Sequence, residues 1–166
     1  MARLTVPSTS ASTDDFETVR AFLHERGILH ERWPCAGVAR DASEAEVIAP
    51  HRSRLDALMA ARGYRAMDVV SVLPETSDAA ALRDKFLAEH VHSEDEVRLF
   101  VEGSGVFWFH LDSEPEVFAL SCGPGDLISV PAGTRHWFDF GERPLVRAVR
   151  LFTDPAGWVA QYTRSG

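Results

Sequence analysis

The sequence predicts a mainly β protein with α-helices, whose antiparallel strands form a barrel of the jelly-roll type. Two observations predict this fold class. Residues 97–152 contain six short segments rich in valine, isoleucine and phenylalanine, separated by glycine and proline. Residues 1–88 instead show the apolar spacing of helices, with capping signals. We therefore expect a single domain over residues 1–166, with a helical N-terminal part to residue 88 and a barrel core over residues 89–160. The helices should pack on one outer face of the barrel.

The predicted helices have recognisable first and last residues. Asp14 or Asp15 can cap a helix that Gly27 ends. Ser43 and Glu46 have capping-box spacing and should open the next helix. The remaining predicted elements of this part are an end or kink at Pro50, a helical run from His51 to Arg62, a short strand from Asp68 to Pro74, and a helix from about Ser77 to Ala88.

The predicted barrel strands follow each other closely, as in other antiparallel barrels. They are Val97–Val101, Gly105–Leu111, Val117–Ser121, Asp126–Val130, His136–Phe140 and Val146–Phe152.

Composition excludes some classes of function. The net charge of −8 argues against general binding to nucleic acid or anionic membranes. The first fifteen residues lack the charged and apolar regions of a signal peptide. Cys35 and Cys122 are far apart and lack zinc-site spacing, so we expect reduced thiols in a cytoplasmic protein.

A cluster of metal-ligand residues begins at His90. If residues 90–97 are one strand, His90, His92 and Glu96 project from the same face. His136, from a distant strand, would supply a third imidazole. Three nitrogens and one carboxylate oxygen suit iron, nickel, manganese or zinc better than calcium or magnesium. Four protein ligands leave two positions open on a six-coordinate metal, which predicts a catalytic site. Glu94 shares the same parity and is an alternative ligand.

The spacing of these ligands is similar to that of a known superfamily. Glu96 follows His92 by four residues, and Gly125 is followed by the pattern x5-Pro131-x-Gly133-x2-His136. These two blocks resemble the paired motifs of the cupins. Residues 85–101 and 125–139 in particular look very like acireductone dioxygenase, and the resemblance extends to Glu31-Arg32-Trp33, residues 147–152 and residues 157–159.

The resemblance implies a function in methionine salvage. Members of the family split the enediol 1,2-dihydroxy-3-keto-5-methylthiopentene with molecular oxygen. With iron(II) the products are formate and 2-keto-4-methylthiobutyrate; with nickel(II) they are formate, carbon monoxide and methylthiopropionate. We therefore expect one Fe(II) or Ni(II) per chain, held by His90, His92, Glu96 and His136, in a monomer whose partners are the enediol substrate and O2, and neither nucleic acid nor membrane.

Other residues are expected to complete this site. Arg98 shares the parity of Glu96 and could stabilise an enediolate, although a surface arginine paired with a nearby acid is the alternative. Phe86, Phe138 and Trp158 could form the wall of the substrate pocket, or be ordinary core aromatics. Asp95 could accept a hydrogen bond from a ligand imidazole, or belong to a solvated turn.

Two rival functions are also consistent with the sequence. One is another single-domain cupin oxygenase or isomerase that acts on a different small molecule, since this fold supports many chemistries. The other is a non-catalytic cupin that only binds a metal or ligand. Failure of acireductone to drive oxygen uptake would favour the first, and stable metal binding without turnover would favour the second.

Overall fold

The computed structural model describes residues 2–154 and 160–163, which form two antiparallel sheets surrounded by helices. The first sheet contains β1 (Arg3–Val6), β2 (Ala11–Thr13), β5 (His90–Val91), β7 (Gly105–His110), β8 (Val117–Cys122), β10 (His136–Asp139) and β12 (Gln161–Tyr162), in the order β12-β5-β10-β7-β8-β1-β2. The second contains β3 (Leu29–Arg32), β4 (Ala66–Val72), β6 (Glu96–Gly103), β9 (Asp126–Val130) and β11 (Val146–Phe152), in the order β3-β9-β6-β11-β4. The predicted mainly β fold is confirmed.

Strand β6 separates two apolar clusters, because alternate residues of a strand face opposite sides of the sheet. Phe100 faces an inner cluster, which also contains Phe107 and Phe118 of the other sheet. Val97 and Leu99 belong to a second cluster on the opposite face. The strand is therefore buried on both faces, and its inward residues point into the interior of the barrel.

The helices are α1 (Phe16–His24), α2 (Glu44–Ile48), α3 (Arg52–Arg62) and α4 (Ala79–Leu87). Helices α2 and α3 cover the outer cluster with Val47 and Leu55, as predicted for an outer face. Helix α1 instead contributes Leu23 to the inner cluster, and Phe86 of α4 packs against that same cluster. The expectation that the helices share one outer face therefore holds for α2 and α3, whereas α1 and α4 cover the inner core.

The predicted helix caps explain where these helices begin and end. The Asp15 carboxylate accepts a hydrogen bond from the Thr18 amide at 2.9 Å, which makes Asp15 the cap of α1. Ser43 and Glu46 form the predicted capping box of α2. Pro50 lies in a short 3-10 helix, Ala49–His51, which separates α2 from α3. The Pro50 prediction is thus confirmed.

The first part of the chain contains more strand than predicted. Strands β1 and β2 continue the first sheet beyond β8, and β3 pairs with β9 in the second. At three or four residues each, these strands are too short for a clear alternating pattern. The predicted strand at residues 68–74 is present as Ala66–Val72. No helix among the described residues is long and apolar enough to cross a membrane.

Candidate metal centre

The four predicted ligands meet at one buried point. The potential ligand atoms of His90, His92, Glu96 and His136 all lie within 4.8 Å of one another. All four side chains are buried, with between 2% and 8% of their surface exposed. Such a group of imidazoles and a carboxylate could hold one metal ion.

The backbone brings these residues together in a different way from the one we predicted. Residues 90–97 are not one strand: β5 ends at Val91 in the first sheet, and β6 begins at Glu96 in the second. The chain crosses between the sheets at residues 92–95, so His90 and Glu96 approach the same point from two sheets. His136 is the direct register partner of His90 across β5 and β10. The prediction of a shared strand face was wrong, although the ligand residues do converge.

Backbone carbonyls orient two of the imidazoles. Nδ1 of His90 donates to the carbonyl of Ala88 at 2.7 Å, and Nδ1 of His136 donates to that of Thr134 at 2.8 Å. A carbonyl can only accept, so in each ring Nδ1 carries the hydrogen and Nε2 is left to act as a ligand. Burial also lowers the pKa of His90 to about 4, which keeps that ring neutral and able to bind a metal.

Glu96 is the electrostatic centre of the group. Its Oε2 atom lies 2.6 Å from Nε2 of His136 and 3.3 Å from Nε2 of His92. Its Oε1 atom lies 2.8 Å from Nε of Arg98. Burial raises the pKa of the Glu96 carboxyl, but the Arg98 charge and His136 outweigh burial and hold the pKa well below its usual range. The group therefore offers an anionic oxygen beside imidazole nitrogens, the donor set of a first-row transition metal.

A cavity of about 390 Å³ opens beside this group. Three predicted ligands, His90, His92 and Glu96, line it. So do three other residues that we predicted for the site, namely Arg98, Phe86 and Phe138. Arg98 is buried, and its guanidinium carbon lies 5.2 Å from the centre of the Phe138 ring. The surface alternative for Arg98 is therefore wrong. Trp158, the remaining predicted pocket residue, lies outside the described residues.

Five further residues that the sequence did not indicate also line the cavity, namely Val70, Lys85, Arg150, Ala160 and Tyr162. Arg150 is the register partner of Arg98 on β11 and donates from Nε to Asp68 at 2.7 Å. The alternation of side chains along the predicted strand Val146–Phe152 is a sequence signal that could have indicated Arg150. Tyr162 lies on β12, and its ring centre is 5.9 Å from that of His90. Nothing in the sequence near Tyr162 indicates that the chain returns to the site.

Asp95 lies close to the ligands but has partners that we did not predict. Its Oδ2 atom accepts from the Tyr64 hydroxyl at 2.9 Å, and its Oδ1 atom accepts from the Ala132 amide at 3.1 Å. The next amide of that turn, Gly133, donates to the carbonyl of His92 at 3.0 Å. In these contacts Asp95 fixes the turn that leads to His136 and does not hold a ligand imidazole. Glu94, the alternative ligand, instead accepts from the backbone amides of residues 153 and 154.

Gly105 leaves the space that Phe138 occupies. A Cβ atom on Gly105 would lie 2.1 Å from Cζ of the Phe138 ring. The two residues lie on the adjacent strands β7 and β10. A glycine at position 105 is therefore required for the observed position of this cavity wall.

Comparison with known proteins identifies the family. The model of the ARD/ARD' family matches residues 11–160. Acireductone dioxygenase of Picosynechococcus sp. is 47% identical over 99% of this chain and 94% of that protein. The enzyme of Stutzerimonas stutzeri is 53% identical over 89% of this chain and 81% of that protein. A solved structure of acireductone dioxygenase from Bacillus anthracis, with a cadmium ion in its active centre, is 33% identical and superposes with a TM-score of 0.86, covering 98% of both chains. The chain therefore belongs to the ARD/ARD' family, as its motifs predict.

Proposed function

We propose that this protein is a metal-dependent dioxygenase that cleaves acireductone, 1,2-dihydroxy-3-keto-5-methylthiopentene, with O2 in methionine salvage. The single observation that carries the proposal is the buried group of three histidines and one glutamate, of which His90, His92 and Glu96 line a cavity. Relatives named acireductone dioxygenase match nearly the whole chain, which supports the same activity here.

In this proposal His90, His92, Glu96 and His136 hold one Fe(II) or Ni(II) ion per chain. The imidazole Nε2 atoms and the ionised carboxylate fit such an ion, and the proton between Nε2 of His136 and Glu96 would leave on binding, because ligands must bind in their deprotonated form. When bound, the metal would serve as a Lewis acid and as a template for the substrate oxygens. The iron form would give formate and 2-keto-4-methylthiobutyrate, whereas the nickel form would give formate, carbon monoxide and methylthiopropionate.

The cationic side chains of the cavity favour the anionic form of the substrate. Arg98 is buried beside the ligands, and Lys85 and Arg150 line the same cavity. An enediol loses a proton more readily in such a field, since a nearby positive charge stabilises the enediolate. We assign Arg98 as the catalytic residue that stabilises this negative charge. The Glu96 carboxylate fixes the direction of its guanidinium through the 2.8 Å contact.

The apolar side of the cavity would hold the methylthio tail. Phe86 and Phe138 both line it, and Phe86 also packs edge to face on Phe140, with ring centres 5.9 Å apart. Apolar walls bury the tail and keep water from the reacting enediolate. Asp95 acts from behind the site as a positioning residue, through the Tyr64 hydroxyl and the turn at Ala132.

The test is a single-turnover experiment on the purified protein. The metal content is measured first, the protein is loaded with acireductone without oxygen, and O2 is then added. Formate with the keto acid identifies the iron form, and carbon monoxide identifies the nickel form. Bound metal with loss of acireductone no faster than in buffer would overturn the proposal and favour a non-catalytic cupin. Turnover of another enediol but not of acireductone would favour a different cupin oxygenase.

We further propose a monomer of one domain, residues 1–166, in the cytoplasm. Among the residues that the structure describes, Tyr162 is the exposed large apolar side chain, and it belongs to the cavity. Both cysteines are free thiols, as expected in a reducing compartment. Light scattering coupled to size exclusion should give a mass near 18.4 kDa, and twice that mass would contradict the monomer.

A further inference from the structure

A second cavity, of about 320 Å³, shares none of its lining residues with the cavity at the candidate metal centre. Helix α1, strand β3 with the residue after it, and helix α3 surround it. Its lining includes Glu31, Arg32 and Trp33, the early motif that the sequence analysis singled out and that the proposed function does not use. This motif therefore lies at the second cavity and not at the candidate metal centre.

The rim of this cavity is cationic. Arg20, Arg32 and Arg54 line it from three different elements, and all three side chains are exposed. Arg20 is paired with Glu17 at 3.0 Å. Within residues 2–154 and 160–163, neither Arg32 nor Arg54 forms an ion pair with a carboxylate. Three arginines and one carboxylate, that of Glu31, which accepts from the Trp33 indole nitrogen, give this lining a net positive charge in a chain of net charge −8 and favour an anion.

Aromatic rings lie directly beside these cations. The Arg32 guanidinium carbon is 4.6 Å from the centre of the Phe16 ring, and that of Arg54 is 6.0 Å from the Trp33 ring. Phe16 is half-buried and Trp33 is buried, so both rings are held in place by the fold. A flat ligand could pack against the same rings, because aromatic faces favour stacked partners.

The buried lining of the cavity includes a polar atom with no partner. His30 is 1% exposed, and its Nε2 atom lies 3.0 Å from Oδ1 of Asp126. Asp126 is itself fixed by the Gly123 amide at 2.9 Å. Within the described part of the chain, Nδ1 of His30 has no hydrogen-bond partner. This nitrogen is enclosed by protein atoms, so the paired His30 and Asp126 form a fixed base beneath the cavity.

We propose that this cavity binds a small organic anion, a phosphate or carboxylate carried on a flat ring. Arg32 and Arg54 hold the anionic group, and the ring packs between Phe16 and Trp33. This site is separate from the metal centre, and the proposal does not depend on the dioxygenase activity.

Calorimetric titration of the metal-loaded full chain tests the proposal, with phenyl phosphate and benzoate as probes. One saturable site per chain is expected for at least one probe, and the stronger of the two identifies the anionic group. Arg32→Ala and Arg54→Ala should each weaken that probe about tenfold, the effect of losing one charge-assisted hydrogen bond. Arg62→Ala, at the end of the same helix as Arg54 and outside the cavity, is the matched control and should change nothing.

Further titrations distinguish binding at this cavity from binding at the metal centre. Inorganic phosphate and phenol should each bind more weakly than phenyl phosphate, because each makes only part of the contacts. Arg98→Ala should leave probe binding unchanged. The proposal is overturned if neither probe saturates below about 10 mM. It is also overturned if Arg98→Ala abolishes binding while Arg54→Ala does not, since the probe then occupies the metal centre.

Discussion

Nε of Arg98 lies 2.8 Å from Oε1 of Glu96 at the inner end of the substrate cavity. The other oxygen of this carboxylate faces Nε2 of His136 at 2.6 Å. One carboxylate thus connects the cation proposed to bind the enediolate with the residues proposed to bind the metal. This connection predicts that the two functions can be separated by mutation, because each depends on a different oxygen.

Arg98→Ala should leave the metal bound and lower kcat/KM on the order of a hundredfold, the effect of removing one electrostatic stabiliser. Arg98→Lys should recover part of this loss, since it restores the charge without the guanidinium geometry. Metal analysis and oxygen uptake on the same samples measure both quantities. Arg20→Ala, an exposed arginine of α1, is the control. An unchanged rate in Arg98→Ala would remove Arg98 from the reaction.

His92→Ala should lose most of the bound metal and reduce turnover to the rate of the buffer reaction. A site with only three of its four ligands binds a divalent ion less tightly, and the Glu96 charge is then partly uncompensated. His24→Ala, an exposed histidine of α1, is the matched control and should bind metal normally. Full metal occupancy with normal activity in His92→Ala would contradict the ligand assignment.

Gly105→Ala should disturb the aromatic wall of the cavity. The new methyl group would meet the Phe138 ring at 2.1 Å, so the ring must move. We expect a loss of about 1–3 kcal/mol in the free energy of unfolding, typical of overpacking, together with a raised KM for acireductone. Gly37→Ala is the control, because a Cβ atom there meets nothing within 4 Å. Denaturant unfolding and steady-state kinetics measure the two effects, and a Gly105→Ala protein indistinguishable from Gly37→Ala would refute the packing argument.

Asp95→Ala should weaken metal binding about tenfold without removing a ligand, because the turn before His136 loses its anchor. Asp95→Asn keeps an oxygen that can accept from the Ala132 amide, and it should recover much of the affinity. Competition with a chelator measures the affinity of each variant. Asp56→Ala, whose carboxylate pairs with Arg52 on the surface, is the control. Equal loss in Asp95→Ala and Asp95→Asn would show that charge, and not the turn, is what matters.

The sequence predicted the barrel strands and the ligand group because both depend on local patterns. Within β6 the alternation is correct, since Glu96 and Arg98 face the cavity while Val97 faces the outer cluster. The predicted alternation of side-chain direction is wrong between His92 and Glu96, where the chain passes from one sheet to the other. No residue pattern marks this point.

Long-range contacts explain the remaining differences between the predicted site and the observed one. Tyr162 reaches the cavity because β12 pairs with β5, and the Thr163 amide donates to the carbonyl of Glu89 at 3.1 Å. Asp95 finds Tyr64 thirty-one residues earlier in the chain. Neither partner has a fixed spacing that a sequence pattern could reveal. Local capping at Asp15 and Ser43 was predictable because its donors and acceptors lie within three residues.

The most direct test of the central claim is the rate of acireductone loss under oxygen, measured before and after a chelator removes the metal. The metal-loaded protein should consume acireductone and O2 in equal amounts, the stripped protein should be inactive, and Fe(II) or Ni(II) should restore the activity. A stripped protein that retains the full rate, or a metal-loaded protein no faster than buffer, would contradict the assignment of this site as a metal-dependent dioxygenase.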